Sequence, residues 1–387
     1  MGKAEMTSRA RVLASLDHQE PDRVPIALGQ ATGDGITVPA YRNLLIRLGL
    51  GDRPVQVKDS RAQTARVDED VLRRFRVDVR GLGLGAPDGW KDRWLDEHTV
   101  QDEWGVVRTR PPGSHYFDLC RSPFADDPTR SAIERHPWPD PANPGRYRGL
   151  GEQARRLRRE TEYAIVLDVN CAFFLRCCEL RGWENFYTDL VADVEFAEAL
   201  MDRYLEIRLA MAERALAEVE DNVDIVMVTS DDLGMTEGTL ISPALYRSVI
   251  KPRQRRTFDL IRARTDAHLY YHTDGAVYSL LPDLVEIGVQ VLNPVEVRAA
   301  GMGDTARLKR EFGDALTFWG AIDTHHVLPQ GTPADVREEV RRRIRDLGPG
   351  GGYVVSPVHN IQPDVPPENV VAMYDAAYEL GRYPLQI

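Results

Sequence analysis

The chain has 387 residues, 43% hydrophobic and 28% charged, a balance that supports a large buried core and excludes collagen-like, coiled-coil and wholly disordered chains. With 49 Lys and Arg against 60 Asp and Glu, its net charge of −11 argues against nucleic acid or an anionic membrane surface as a partner. No apolar run approaches the roughly 20 residues of a membrane span, charges interrupt the N-terminal stretch where a signal peptide would be apolar, and cysteines without a CxxC pair fit a reducing cytoplasm.

Eight short apolar or β-branched runs follow in order: VPIAL (24–28), VDVRGLGL (77–84), YAIVLDV (163–169), VDIVMVT (223–229), HLYYH (268–272), VQVLN (289–293), LTFWG (316–320) and GYVVS (352–356). Each has the length of a buried parallel strand. Helical segments separate most of them. Residues 195–219 place apolar side chains at three- and four-residue intervals, and 333–347 opens on Thr-Pro and stops at Gly348. Alternating strands and helices predict a parallel sheet, and eight units predict a (β/α)8 TIM barrel, one domain over 1–387. Such a barrel takes about 250 residues, so the excess is assigned to an insertion over 85–150 covering the mouth, with a hairpin around Trp104 to Thr109. Gly348 and Gly350 to Gly352 precede the last run, which makes them a helix stop and turn and not a phosphate loop.

Barrel active sites lie at the carboxyl ends of the strands, so the residues following each run are the candidates. They are Gln30 after the first, Asp168 and Asn170 at the third, Asp231 and Asp232 after the fourth, and His272 and Asp274 at the fifth. Asn293 and Glu296 follow the sixth, Asp323 the seventh, and His359 and Asn360 the eighth. Singly, each is as readily an ordinary polar loop residue; the signal is their recurrence at one end of successive strands. In extended backbone residues i and i+2 face one side, so His272 and Asp274 can reach one point while Gly275 turns the chain away. With His359 as third ligand, two imidazoles and a carboxylate suit an open site for a divalent ion, zinc first and iron second. Adjacent carboxylates repel, which raises one pKa toward a range useful for proton transfer. Asp231 is preferred as the proton carrier, and Asp232 reads as a cap or turn residue. Cys171, Cys177 and Cys178 sit among apolar neighbours as buried, inert thiols, and His325-His326 begins a helix after the seventh run.

Several stretches together resemble the uroporphyrinogen decarboxylase superfamily: TSRARVLASLDHQEPDRVPI, DEWG at 102–105, DDLGM at 231–235 followed by LISPALYRSVIKP, YHTDGAV, and VHNIQPDVPPENVVAMY. The resemblance spans nearly the whole chain and implies a (β/α)8 barrel and a homodimer. It also implies one of two branches: metal-free porphyrinogen decarboxylases, or zinc-dependent methyltransferases that move methyl groups between a corrinoid protein and a thiol. Haem-pathway decarboxylases carry an arginine-rich segment after the first strand, where this chain has GQATGDGITVP without arginine. The methyltransferase branch has a His-x-Cys-Gly motif and a later Cys; here His272 matches, with Asp274 and His359 at the two cysteine positions.

Imidazole and carboxylate in place of two thiolates make a harder, more Lewis-acidic centre. The resulting expectation is a metal-assisted lytic reaction, decarboxylation or a related cleavage, on a small oxygen-rich or carboxylate substrate. Asp231, with Asp232 beside it, carries the proton; Arg80 anchors a carboxylate; Gln30, Asn170, Asn293 and Glu296 contact substrate. One alternative is corrinoid-dependent methyl transfer with a separate corrinoid protein, because the chain has no DxHxxG motif of its own. Another is a non-catalytic small-molecule-binding barrel, which has no need of a stoichiometric metal.

Overall fold

The computed structural model describes residues 5–111, 114 and 117–386. A short antiparallel pair, β1 (Val57–Asp59) and β2 (Thr64–Ala65), precedes the first parallel strand, β3 (Val79–Gly83). An antiparallel sheet follows, made of β4 (Arg93–Trp94), β5 (Thr99–Gln101), β6 (Val107–Thr109) and β7 (Asp118–Arg121). The chain then alternates helices with β8 (Ala164–Asp168), β9 (Ile225–Thr229), β10 (His268–His272), β11 (Val291–Asn293), β12 (Thr317–Ile322) and β13 (Tyr353–Pro357). From β3 and β8 through β13, each parallel strand pairs with the next in sequence, giving one curled seven-stranded sheet of TIM-barrel type. β9, β12 and β13 are buried at every residue, as the apolar composition of two-side-covered parallel strands requires.

The run at 24–28 fills the gap between β13 and β3, but as a seam and not a regular strand. Ile26 bridges Val355 in parallel, Ala27 donates its N–H to the Val355 carbonyl, and Val355 donates back to Pro25. On the other side Asp78 donates its N–H to the Ile26 carbonyl. A full ladder fails because Pro25 has no N–H and the Ile26 N–H is taken by the Asp78 carboxylate at 2.9 Å. Asp78 is fully buried. It also accepts from Arg11 Nη1, from both terminal nitrogens of Arg23 and from Ser8 Oγ, all at 2.8 Å. Arg11 in turn forks onto Asp22. One carboxylate thus ties the helix Ser8–Leu16 and the seam to the start of β3.

The helix expected over 195–219 spans Val194–Val219, and Pro333–Leu347 carries a capping box between Thr332 and Asp335. The glycines before β13 form the expected turn. A Cβ on Gly351 would lie 2.5 Å from the Gln19 carbonyl oxygen, at a φ of +79° that already favours glycine. The hairpin expected around Trp104 to Thr109 is part of the larger sheet β4 to β7. Its β5–β6 turn is held by Asp102 Oδ1, which accepts from the Trp104 and Val106 amides. Arg108 on β6 pairs with Glu179 at 2.7 Å, fixing the sheet to the helix Phe174–Arg181 at the barrel mouth. Among the described residues no helix is long and apolar enough to cross a membrane.

Removing the Asp78 carboxylate leaves two buried guanidinium groups without their shared partner. Asp78→Ala is expected to cost about 3–5 kcal/mol, read as a lowered urea midpoint; an unchanged midpoint would show that the seam does not depend on it.

Candidate functional site

His272 is the last residue of β10, and the two-residue step to Asp274 brings both side chains to the mouth. Asp274 Oδ2 lies 3.6 Å from His272 Nε2 and 3.7 Å from His359 Nε2. One ligand atom from each residue lies within 4.8 Å of the others. His272 is buried, whereas Asp274 and His359 are half-buried, so the cluster is shielded yet reachable. The chain can turn after Asp274 because Gly275 (φ +86°) packs on Gly234, where a Cβ would meet backbone at 2.3 Å.

The tautomer of His272 follows from a neighbour. Asn293 Nδ2 donates to the Trp319 carbonyl at 3.0 Å, which turns its Oδ1 toward His272 Nδ1 at 2.6 Å. Nδ1 therefore carries a proton and Nε2 faces Asp274. Asn293 is fully buried and both ends of its amide are committed to these two bonds. It positions a histidine, and the expectation that it contacts substrate is corrected. The loop after the seam lies on the same ring. A Cβ at Gly33 (φ +88°) would stand 2.5 Å from His272 Cε1.

The two adjacent aspartates divide in the opposite sense to expectation. Asp231 is fully buried and its carboxylate accepts from the Phe173 and Leu175 amides at 3.0 and 3.1 Å, capping the helix Phe174–Arg181 from a neighbouring strand end. It does not line the cavity at the mouth. Asp232 does; its Oδ1 accepts from the Asp274 amide and lies 3.9 Å from His272 Nε2. Burial, then the neighbouring Asp274 carboxylate, raise Asp232 to about 6. Burial opposes the charge of His272, but Asp274 outweighs it and holds the imidazole up to about 9. Burial likewise opposes ionisation of Asp274, and His272 with His359 pull it down to about 2. Burial lowers His359.

The residues fit a divalent cation. Asp274 Oδ1 is buried without a hydrogen-bond partner, two imidazole nitrogens face the same carboxylate, and the two-nitrogen, one-oxygen donor set is that of open zinc or iron sites. The donor spacings of 3.6 and 3.7 Å approach the ~3.4 Å edge of a tetrahedron with ~2.1 Å bonds.

Arg80 is not at the mouth. Its guanidinium forks onto Glu69 at 2.9 and 3.0 Å and stacks on Tyr163, on the outer side of β3, because alternate residues of a strand face opposite ways. Gln30 uses both ends of its amide on the Gly81 N–H and the Leu28 carbonyl, so it patches the barrel wall. Asn170 (φ +36°) accepts from the Ser230 hydroxyl and the Ala172 amide, bracing the loop after β8, and lines a larger cleft of about 770 Å³ outside the cluster. Glu296 does reach the mouth. With Met235, His325, Asp274 and His359 it lines a cleft of about 470 Å³, and His325 Nε2 lies 3.7 Å from its carboxylate. Cys171, Cys177 and Cys178 are buried, and burial pushes all three thiols up.

Sequence reasoning passed over four residues. Arg61, Arg108, Arg176 and Glu179 share a cavity of about 280 Å³ with Asp232, His272, Asp274 and His359. Arg176 and Glu179 form an i,i+3 ion pair, the one local signal available. Arg61 and Arg108 come from a loop and the inserted sheet, and only the fold brings them to the mouth.

These features define an α/β barrel with a polar, histidine- and aspartate-bearing mouth. The family model for uroporphyrinogen decarboxylase (URO-D) matches residues 118–380, and the chain belongs to that family of enzymes. Its curated relatives include proteins named uroporphyrinogen decarboxylase from Alkalilimnicola ehrlichii, 24% identical over 96% of this chain and 94% of that one, and from Legionella pneumophila, 34% identical over 95% and 96%. A third, from Thermus thermophilus, is 29% identical over 78% of this chain and 82% of its own length. Among solved structures, a methyltransferase from Methanosarcina mazei is similar in fold, with a TM-score of 0.62 at 17% identity, covering 97% of this chain and 99% of that one.

Asp34, fully buried in the loop over His272, accepts from the Ala31 amide, and burial raises it to about 6. With its folded pKa above the unfolded value of 3.8, folding takes up a proton between those values. Stability from this group therefore falls as pH rises through that window and is lowest above pH 6. Asp34→Asn removes the penalty, so its melting temperature is expected to gain on the parent protein's between pH 4 and 8, by a difference on the order of 2–3 kcal/mol. A pH-independent difference would contradict the buried, protonating carboxyl.

Proposed function

We propose that the protein is a divalent-metal-dependent lytic enzyme that decarboxylates, or cleaves a related bond in, a small oxygen-rich or carboxylate substrate. The reading rests chiefly on one observation: two imidazole nitrogens converge on Asp274 Oδ2 at the mouth of the family's barrel, while Oδ1 is left unpaired. His272, Asp274 and His359 hold the ion, and Asn293 keeps His272 Nε2 turned inward. When bound, zinc or iron supplies Lewis acidity that polarises a carboxylate or carbonyl oxygen. Asp232, raised to about 6, lines the same cavity and supplies the proton that replaces the departing carboxyl group on the substrate carbon. Glu296 and His325 form the other side of the mouth and contact substrate from there.

A second reading, methyl transfer from a separate corrinoid protein, is favoured by the position of His272 and Gly275 in a motif whose cysteine is replaced by Asp274. Rapid demethylation of a methylated corrinoid in the presence of a thiol would select it over decarboxylation.

The purified protein is expected to hold about one divalent metal per chain, with His272→Ala and His359→Ala each reduced to background by elemental analysis. Normal occupancy in both variants would overturn the ligand assignment. Asp232→Asn is expected to keep its metal while carbon dioxide release from a reacting carboxylate falls about 10²- to 10⁴-fold; full turnover would remove Asp232 from the chemistry.

A further inference from the structure

The 280 Å³ cavity has two unlike walls. One is the His272, Asp274 and His359 cluster with Asp232; the other carries Arg61, Arg108 and Arg176, with Phe117, Leu175 and Trp183 around them. The arginines are not equivalent. Arg108 is buried and held between Asp102 at 2.6 Å and Glu179 at 2.7 Å, and Arg176 pairs with the same Glu179. No hydrogen bond or ion pair holds the Arg61 guanidinium among the described residues. Arg61 stands exposed at the cavity rim, and the like charge of Arg176 is the largest influence pulling it down to about 10. The three guanidinium groups meet Glu179, which Arg176 and Arg108 drive down to about 2 against the effect of burial, while Asp59 also lines the cavity and Asp102 is committed to Arg108. An incoming anion at Arg61 would relieve this repulsion and receive a planar, bidentate donor.

We infer that Arg61, backed by Arg176, is the recognition site for the acid group of a small organic carboxylate with a flat apolar body, whose other end points at the His272–Asp274–His359 cluster. The flat body follows from the Phe117 and Trp183 rings and Leu175 that line the same cavity, and the small size from a volume just below the ~300–1,000 Å³ usual for small-molecule sites. This deepens the reading of the cavity as a substrate site and rests on it for the ligand's orientation. The arginines come from a loop, the inserted sheet and the helix Phe174–Arg181, and none lies in the segment directly after the first run.

The test is titration of the full chain with benzoate, and with neutral benzamide as control, read by Trp183 fluorescence against a Trp183→Phe blank and by calorimetry. Benzoate is expected to bind, and Arg61→Gln to weaken it about 10- to 100-fold with no change in benzamide affinity or melting temperature. Arg61→Lys, which keeps the charge and loses the fork, should fall between the two. His272→Ala, which separately reports on the metal assignment, is expected to keep benzoate binding. Equal binding of benzoate and benzamide, or loss of benzoate in His272→Ala but not in Arg61→Gln, would overturn the inference.

Discussion

A single buried carboxylate sets the geometry on which the mouth of this barrel depends. Asp78 accepts five hydrogen bonds, from two guanidinium groups, a serine hydroxyl and the amide of Ile26. Burying that charge costs several kcal/mol unless its partners are in place, so the arrangement is close to all or none. Segment 24–28 cannot close the barrel by backbone pairing alone, because Pro25 interrupts the ladder. What anchors it is the side chain of the residue preceding β3. The loop that leaves this segment passes directly over the His272 ring, with Gly33 at closest approach. A clasp remote from the chemistry thereby fixes how tightly the histidine is covered.

Inside the mouth, charge is arranged as a sequence of imbalances. His272 is held cationic by two aspartates, Asp274 is held anionic by two histidines, and Asp232 is left to take a proton near neutrality. A divalent ion held by this cluster would take the place of the proton on His272 Nε2, because the same lone pair serves both. Asn293 prevents the ring from flipping to offer Nδ1 instead, since its own amide is committed to the Trp319 carbonyl. The His272 ring is therefore held in one orientation, with Nε2 toward Asp274.

Strand-length apolar runs and helical periodicity carried the architecture, and seven of the eight runs are strands of the parallel sheet. The remaining run, the first at 24–28, departs because a proline and a captured amide are side-chain facts that hydrophobic pattern does not encode. HTDG was legible because i and i+2 spacing in extended chain is a geometric statement in itself, and His359 because its own strand also ends at the mouth. The assignment of Asp231 and Asp232 was not, since both residues follow the same strand and which one turns inward depends on a helix start 58 and 56 residues away that captures Asp231. Arg80 misled for a related reason: position near a strand end says nothing about which face a side chain takes. Arg61 and Arg108 lie in segments with no periodic signal, and tertiary structure alone assembles them with Arg176.

Asp274 and His359 are lining residues of both the arginine-bearing cavity and the cleft around Glu296 and His325. The pair is therefore a partition with a face in each chamber, and not the dead end of a single tunnel. A molecule in either chamber therefore meets the same carboxylate and the same imidazole from opposite sides.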